Sequence, residues 1–332
     1  MGGGKRGYLL LLLAAALLAS LLNAALLPAR LASHRQRTAE ASALRLTAAA
    51  SRREDLTSSC TISPRRPHVL VYNRLEKTGS TTLHLVIDAL AARNGFTHVR
   101  LPARDFYNGS AARAAIRAAL RRPQRSLVSE HFAFPGALGA AADDARVSYM
   151  QVLRAPTARC VSWYYWSRFS WDNPWTAGNR RRFGNATLDA CLASAGGGGG
   201  APPCLNCPPL HQVQSFCGEN GGACFDGALS DEAVAARAWA NLEAFYPVVG
   251  LTAELEPFLG ALEGAFPDFF AGGVGLLRAT ERARVSQGRL SEYVQPSNAS
   301  IAALARHLRG EELFYGRVAA RFAAQQRACG GY

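Results

Sequence analysis

The sequence predicts a single α/β domain with a central, mostly parallel sheet flanked by helices. From about residue 68 onward, short apolar runs that suit buried strands alternate with stretches of helical periodicity. The 332-residue chain is 49% apolar, enough for one full core once the N-terminal segment is set aside. Ligands of such sheets bind at the carboxyl ends of the strands, so we expect the functional site in the loops that follow them.

The first unit is a strand, a tight loop and a helix. The apolar run Val69, Leu70 and Val71 predicts a strand over 68–73, and apolar residues at helical spacing predict a helix over 80–93. Those helical positions are Leu83, Val86, Ile87, Leu90 and Ala91. Between strand and helix, residues 77–82 offer an ammonium, several hydroxyls and backbone N–H groups, which suit a phosphate or sulfate. Only Lys-Thr survives of a Walker A loop, which disfavours an ordinary NTPase.

The remaining elements continue the alternation. Predicted next are a short strand near 97–101, a helix over 111–121, strands over 126–132 and 147–153, and a helix over 156–169. We expect 172–227 to be loop-rich, with a mobile five-glycine run at 196–200. Helices over 230–245, 254–264 and 300–326 follow, with a strand near 247–251. The strand-to-helix junction at 153–156 repeats the first one, since Arg154 ends the strand and Pro156 opens the helix.

The N-terminal segment predicts a membrane anchor. Residues 8–27 form an almost unbroken run of Leu and Ala, about the 20 residues that span a bilayer. A secretory signal peptide has a shorter apolar region and a cleavage site of small residues, so we predict an uncleaved signal-anchor helix. Residues 1–7 would be a cytoplasmic tail, 28–66 a stem, and 67–328 the folded domain. The predicted protein is therefore a single-pass type II membrane protein with a lumenal domain.

Charge indicates the class of partner. Lys and Arg exceed Asp and Glu by 37 to 24, giving a net charge of +13, and basic proteins of this kind bind polyanions. No nucleic-acid-binding motif appears, and the secretory start also argues against nucleic acid. An acidic polysaccharide is the better prediction. Sequons at Asn108, Asn185 and Asn298 are compatible with glycosylation in a secretory lumen.

The cysteines also indicate a protein of the secretory lumen. Five of the eight lie within 191–224, namely Cys191, Cys204, Cys207, Cys217 and Cys224. Cys204 and Cys207 have the C-x-x-C spacing of a zinc knuckle, and His211 follows them. An oxidising lumen and a Pro- and Gly-rich setting favour disulfide bridges instead. The sequence leaves Cys60, Cys160 and Cys329 unassigned.

The two strand-to-helix junctions resemble those of a known family. Residues 71–81, VYNRLEKTGST, are similar to the V-Y-N-R-x-x-K-T-x-S-T loop of Golgi sulfotransferases that use 3′-phosphoadenosine 5′-phosphosulfate, specifically the uronyl and heparan sulfate 2-O-sulfotransferases. Residues 152–165, VLRAPTARCVSWYY, resemble that family's R-D-P-x-x-R-x-x-S-x-Y-Y segment, which holds the 3′-phosphate. The resemblance spans residues 68–325 and implies a P-loop-like sulfotransferase domain.

The resemblance implies roles for individual residues. Lys77 is the cation that stabilises the departing phosphate; His131, at the end of a predicted strand, is the general base, and Glu130 is the alternative base. Arg154 and Ser162 hold the 3′-phosphate. The donor-binding set is Arg74, Lys77, Thr78, Gly79, Ser80, Thr81, Arg154 and Ser162, and the acceptor-binding set is Arg180, Arg181 and Arg182, with Arg181 the best single choice.

Further features follow from the resemblance. It implies disulfides between Cys191 and either Cys204 or Cys207, and between Cys217 and Cys224. It requires no metal. Leu277 to Thr280, followed by Arg282 and Arg284, resemble a late loop that closes over the donor.

The implied activity is sulfuryl transfer to a hydroxyl of an acidic polysaccharide or glycosaminoglycan in the Golgi, at the 2-hydroxyl of a hexuronic acid. Two residues depart from the family pattern: Ala155 replaces an Asp, and Glu76 replaces the Pro before Lys77. Glu76 places a negative charge beside the loop lysine, so a catalytically inactive, polyanion-binding member of the fold is the alternative. A P-loop kinase is disfavoured by the missing Gly-Lys loop. The oligomeric state, including a homo-oligomer, is left open.

Overall fold

Five parallel strands form the centre of the folded domain, in the spatial order β2-β3-β1-β4-β5. The computed structural model describes residues 64–139, 144–170, 175–194, 202–219, 222–284 and 293–328. Within these ranges, no helix combines the length and the apolar character needed to cross a membrane. The predicted tail, anchor and most of the stem, and the five-glycine run, lie outside the described residues.

All five predicted strands are present. They are β1 Val69–Asn73, β2 Thr97–Arg100, β3 Ser126–Glu130, β4 Val147–Leu153 and β5 Val248–Leu251. Every residue of β1, β3, β4 and β5 is buried, as expected for parallel strands covered on both faces, whereas β2 lies at an edge and is partly exposed. The predicted α/β class with a parallel sheet is confirmed.

The helices cover both faces of the sheet. In chain order they are α1 Ser80–Asn94, α2 Gly109–Leu120, α3 Pro156–Phe169, α4 Thr176–Phe183, α5 Leu188–Ala193, α6 His211–Cys217, α7 Asp231–Phe245, α8 Leu255–Ala265, α9 Pro267–Phe270, α10 Gly273–Arg284, α11 Asn298–His307 and α12 Arg309–Ala328. Short one-turn 3₁₀ segments at Ala103–Asp105 and Thr252–Glu254 precede α2 and α8.

The stretch predicted to be loop-rich is mostly irregular where it is described, and it also contains α4, α5 and α6, each too short for apolar periodicity to show it. Two sequence predictions of local structure are wrong. The single helix predicted over 300–326 is divided at Leu308 into α11 and α12. The predicted donor-closing loop is part of helix α10, and Leu277 is fully buried in the core because this helix packs against α1 and α8.

The chain crosses the sheet beside β1. From β1 it runs through α1 to the edge strand β2, returns to β3, and then passes to β4 on the opposite side of β1. Such a reversal leaves a crevice at the carboxyl ends of the strands. The register aligns Asn73 with Glu130 and Tyr72 with Met150. The loops that follow β1, β3 and β4 therefore emerge next to one another.

Disulfide bridges hold a second, smaller core beside the sheet. Cys191 is joined to Cys204, which decides between the two pairings that the family resemblance left open, and Cys217 is joined to Cys224. Cys160, unassigned from the sequence, is joined to Cys207. Both cysteines of the C-x-x-C pair are thus in disulfides to different partners, so the zinc-knuckle alternative is wrong.

Close packing of α8 on the sheet generates a stability prediction. A Cβ added at Gly250 in β5 would lie 2.7 Å from Cβ of Phe258, so Gly250→Ala should lower the free energy of unfolding by about 1–3 kcal/mol. Gly275 in α10 is exposed and a Cβ there meets nothing within 4 Å. Gly275→Ala is the matched control and should be neutral or stabilising. Urea denaturation of both variants measures the difference; equal stability would contradict the packing argument.

Candidate functional site

The loop after β1 is a tight turn with two left-handed residues. Lys77 has φ 66°, and Gly79, the residue before α1, has φ 83°. Thr78 donates its hydroxyl to the carbonyl of Leu75 at 3.0 Å and is fully buried. No side chain caps α1 at Gly79, so the first N–H groups of the helix have no side-chain partner at the cap. Ser80 is buried and Thr81 is exposed in that first turn.

Thr252 ties this loop to the end of β4. Its hydroxyl lies 2.9 Å from the carbonyl oxygen of Thr78 and 3.0 Å from that of Leu153. Its methyl group would be 3.4 Å from a Cβ at Gly79. The sequence analysis did not identify Thr252, because only the pairing of β5 with β4 brings it next to the β1 loop.

The side chain of Lys77, which belongs to the loop after β1, lies next to α3. Its ammonium is 4.9 Å from the ring centroid of Trp166, within range of a cation–π interaction, and the side chain is half-buried. The carbonyl oxygen of Lys77 accepts a hydrogen bond from Nη1 of Arg154 at 3.1 Å. The guanidinium from the second junction is thus bonded directly to the backbone of the first junction.

Gln212, at the start of α6, fixes the backbone of Arg154. The Arg154 N–H donates to Oε1 of Gln212 at 3.0 Å, and Nε2 of Gln212 donates to the Arg154 carbonyl at 2.9 Å. The backbone N–H of Gln212 in turn donates to the buried carboxylate of Glu311 at 2.6 Å. Burial lowers the pKa of Arg154, but a guanidinium stays protonated in proteins. These polar partners come from α6 and α12, which sequence reasoning did not connect to the site.

Arg154 and Ser162 share a cavity of about 430 Å³. A guanidinium and a hydroxyl thus face the same space. Its other walls are mostly apolar or aromatic and include Val161, Tyr165, Tyr293 and Ile301. A cavity with a few polar groups and an apolar lining suits an organic ligand that carries an anionic group. The predicted pairing of Arg154 with Ser162 is consistent with this geometry.

His131 lies at the end of β3, buried next to Arg74. Its Nε2 accepts from Nε of Arg74 at 3.0 Å, and its Nδ1 lies 3.2 Å from the Arg74 carbonyl, which fits a neutral ring with the proton on Nδ1. Burial lowers the pKa of His131 to about 4, with Arg74 acting in the same direction and Glu76 opposing it. The ring is therefore neutral at physiological pH.

Arg74 is surrounded by groups from β3 and α1. Its Nε is 2.7 Å from Glu130, and its Nη1 is 3.0 Å from Nδ1 of His84. Burial raises the pKa of Glu130, while the guanidinium of Arg74 lowers it. Arg74 thus contacts both candidate bases, His131 and Glu130. Its role in donor binding stays a prediction.

Glu76 is a buried carboxylate with partners on both oxygens. One oxygen is 2.8 Å from Nε2 of His211, and the other accepts from the Tyr107 hydroxyl and lies 3.6 Å from Nδ1 of His131. Burial raises the pKa of Glu76, but His211, His131 and Tyr107 together outweigh it and hold the pKa well below its usual range. The carboxylate is therefore ionised.

The predicted acceptor-binding arginines lie on α4. Arg180 stacks 4.8 Å from the Phe169 ring and Arg182 lies 5.1 Å from the Phe183 ring, while Arg181 is exposed. Arg181 and Arg182 are both exposed, whereas Arg180 is half-buried. Their role at an acceptor remains a prediction.

The predicted glycosylation sites lie at helix ends and surface positions. Asn108 is the N-cap of α2 and accepts from the Ala111 N–H at 3.0 Å, whereas Asn185 and Asn298 are exposed. In the ranges that the structure describes, no group of three or more His, Cys, Asp and Glu side chains is arranged to hold a metal ion.

Comparison with known proteins agrees with the motifs. Heparan sulfate 2-O-sulfotransferase 1 of Xenopus laevis is 34% identical over 156 residues, covering 47% of this chain and 41% of the relative. The Homo sapiens protein of the same name is 31% identical over 159 residues, with the same coverage. Uronyl 2-sulfotransferase of Mus musculus is 25% identical over 278 residues, covering 80% of this chain and 64% of the relative.

The chain therefore spans about two fifths of the length of the heparan sulfate relatives that it matches. No protein-family model matches it. The resemblance to the uronyl and heparan sulfate 2-O-sulfotransferases that the two motifs predicted is confirmed.

The buried histidines generate a prediction about pH. Burial lowers the folded-state pKa of His131 to about 4 and of His84 to about 2, below the value of about 6.5 in an unfolded chain. The unfolded state then binds more protons between the two values, so stability is full above about pH 6.5 and falls as the pH drops toward 4. We expect unfolding to cost about 1–3 kcal/mol less at about pH 5 than at about pH 7.5, measured by urea denaturation.

The matched variant is His84→Gln, whose amide can still accept from Arg74 and donate to Ser129. Because glutamine does not titrate, the difference in stability between the two pH values should shrink. A pH dependence that is unchanged in His84→Gln would show that His84 is not responsible for it.

Proposed function

We propose that this chain transfers a sulfuryl group from 3′-phosphoadenosine 5′-phosphosulfate to a hydroxyl of an acidic polysaccharide, at the 2-hydroxyl of a hexuronic acid. One observation carries the proposal. The loop that holds Lys77 contacts Arg154 at the end of β4 on one side and His131 at the end of β3 on the other. A cation, an anion-binding pocket and a base thus lie at one edge of the sheet. The names of the relatives support the same class of reaction.

The residues present fit the donor. Its 3′-phosphate suits the cavity that Arg154 and Ser162 line, and its phosphosulfate suits the first turn of α1 with Thr78, Gly79, Ser80 and Thr81. When bound, the donor supplies the sulfuryl group and a phosphate leaving group. Lys77 is half-buried beside Trp166, where its ammonium can stabilise negative charge in a partly desolvated setting.

His131 is the proposed base. A neutral imidazole with a free lone pair can take the proton of the acceptor hydroxyl, and the lowered pKa keeps this ring neutral. Because Arg74 donates to Nε2 of His131 here, base catalysis requires Arg74 to yield that contact to the hydroxyl. Glu130, the alternative base, is also held by Arg74, at 2.7 Å.

Arg180, Arg181 and Arg182 are the proposed acceptor contacts, and the resemblance makes Arg181 the best single choice; Arg181 and Arg182 are both exposed. The basic chain, +13 overall, suits an acidic polymer. We also propose that residues 8–27 anchor the protein in the Golgi membrane with the domain in the lumen, which would account for the three disulfides found among the described residues.

The decisive experiment incubates the full chain with ³⁵S-labelled donor and a panel of uronic-acid polysaccharides. Lys77→Ala should lower turnover by about 100-fold or more while the fold is retained, because a cation at the departing phosphate is lost. Lys5→Ala removes the only other lysine in the sequence and should leave the rate unchanged. Near wild-type turnover in folded Lys77→Ala would remove Lys77 from the mechanism, and absence of transfer in the wild-type chain would overturn the proposed function.

Acceptor binding gives a separate prediction. Arg181→Ala should raise the acceptor KM for uronic-acid polymers by about 3–10-fold, and the effect should shrink at high salt because screening already weakens the contact. Arg121→Ala is the control, since it removes an equally exposed charge after α2, near the amino ends of the strands. Initial rates against acceptor concentration at two ionic strengths measure both. An unaltered KM in Arg181→Ala would mean that the arginine is a solvated surface residue.

A further inference from the structure

We propose that Glu76 is a positioning residue for His131, and that His211 and Tyr107 hold its carboxylate in place. The inference rests on the proposed function, in which His131 is the base. Nothing in the family resemblance supplies it, because the family pattern has proline where this chain has Glu76.

The two oxygens of Glu76 serve different partners. Oε2 pairs with Nε2 of His211 at 2.8 Å. Oε1 accepts a hydrogen bond from the Tyr107 hydroxyl and lies 3.6 Å from Nδ1 of His131, so that it acts on the ring through its charge and not through a hydrogen bond. Glu76 is only 8% exposed, so its charge acts on His131 with little screening by water.

Tyr107 connects the carboxylate to the histidine by a second route. Its backbone N–H donates to the His131 carbonyl at 2.6 Å, and its ring stacks on the imidazole at an interplanar angle of 20°. Among the described residues, Tyr107 and Lys77 alone are non-glycine residues with positive φ. Lys77 follows Glu76 in the sequence, and Tyr107 contacts its carboxylate. Strained backbone of this kind concentrates at functional sites.

The geometry defines what Glu76 does during proton transfer. When Nε2 of His131 takes the hydroxyl proton, Nδ1 keeps its own, and the ring becomes an imidazolium. A fixed carboxylate on the Nδ1 side stabilises that cation, as in other base–carboxylate pairs. The Arg74 carbonyl, 3.2 Å from Nδ1, and the stacked Tyr107 ring hold the orientation of the imidazole. No proton passes to Glu76, since its pKa lies below the usual range. The other charged or titratable groups that face the ring are Arg74 on the Nε2 side, Glu130 from β3 and His211 from α6.

The test compares Glu76→Gln, which keeps the shape and removes the charge, with Glu76→Asp, which keeps the charge and withdraws it by one methylene. Glu76→Gln should lower kcat by about 10–100-fold with little change in the KM of donor or acceptor, and Glu76→Asp should restore part of the loss. The acidic limb of the kcat profile should also move to lower pH in Glu76→Gln, because the charge that favours the imidazolium is gone.

A measurement without turnover separates this inference from the proposed function. In full-length protein with ¹⁵N-labelled histidine, the imidazolium fraction of His131 at about pH 4.5 should be lower in Glu76→Gln than in the wild type, with circular dichroism as the check on folding. If Glu76→Gln does not fold, the same titration of Glu76→Asp against the wild type decides, and His131 should again titrate at lower pH.

The outcomes point in different directions. An unshifted His131 titration, or wild-type kcat in folded Glu76→Gln, would overturn the positioning role. A lower kcat without movement of the acidic limb would also overturn it, since that result indicates a structural effect alone. A shifted titration in a chain that transfers no sulfuryl group would instead overturn the proposed function and leave the Glu76–His131 coupling intact.

Discussion

The site depends on the position of β1 between β3 and β4. Parallel pairing on both sides of one strand brings three strand ends together, and the register sets them side by side. The loop after β1 can then contact Arg154 on one side and His131 on the other. If either neighbour were lost, the pocket that Arg154 lines and the proposed base would no longer share one edge. Backbone hydrogen bonds between the fully buried strands β1, β3 and β4 make this arrangement stiff.

Polar groups buried behind that edge must be satisfied, and they form two connected sets. One set runs from Arg154 through Gln212 to Glu311, and it joins the end of β4 to α6 and α12. The other set joins Glu76, His131 and His211, with Arg74 and Tyr107 around them. Burial in a medium of low dielectric makes each unsatisfied group costly, so these partners hold the functional side chains in single orientations.

Helix α6 belongs to both sets, because His211 and Gln212 are its first two residues. It is a helix of seven residues, too short to be stable on its own. The disulfide from Cys217 to Cys224 lies at its end, and Cys207, just before it, is bridged to Cys160 on α3. The bridges restrict the chain on both sides of α6, which places His211 near Glu76 and Gln212 near Arg154. The disulfides thus contribute to the site without touching it.

The sequence by itself determined the parallel α/β class, the five strands, the two strand-to-helix junctions that carry Lys77 and Arg154, and the family resemblance. Each of these follows from local patterns in the sequence: apolar runs, helical spacing, and a lysine or arginine at a strand end followed by a helix. The resemblance also implied that His131 is the base and that Cys217 pairs with Cys224. What it missed is non-local. Thr252, Gln212, Tyr107 and His211 reach the site from segments far away in the chain, and the short helices α4 to α6 exist through packing and bridges rather than periodicity. Only the tertiary structure decided that Glu76 faces two histidines, because the partner of a buried charge is set by which distant elements the sheet order brings together.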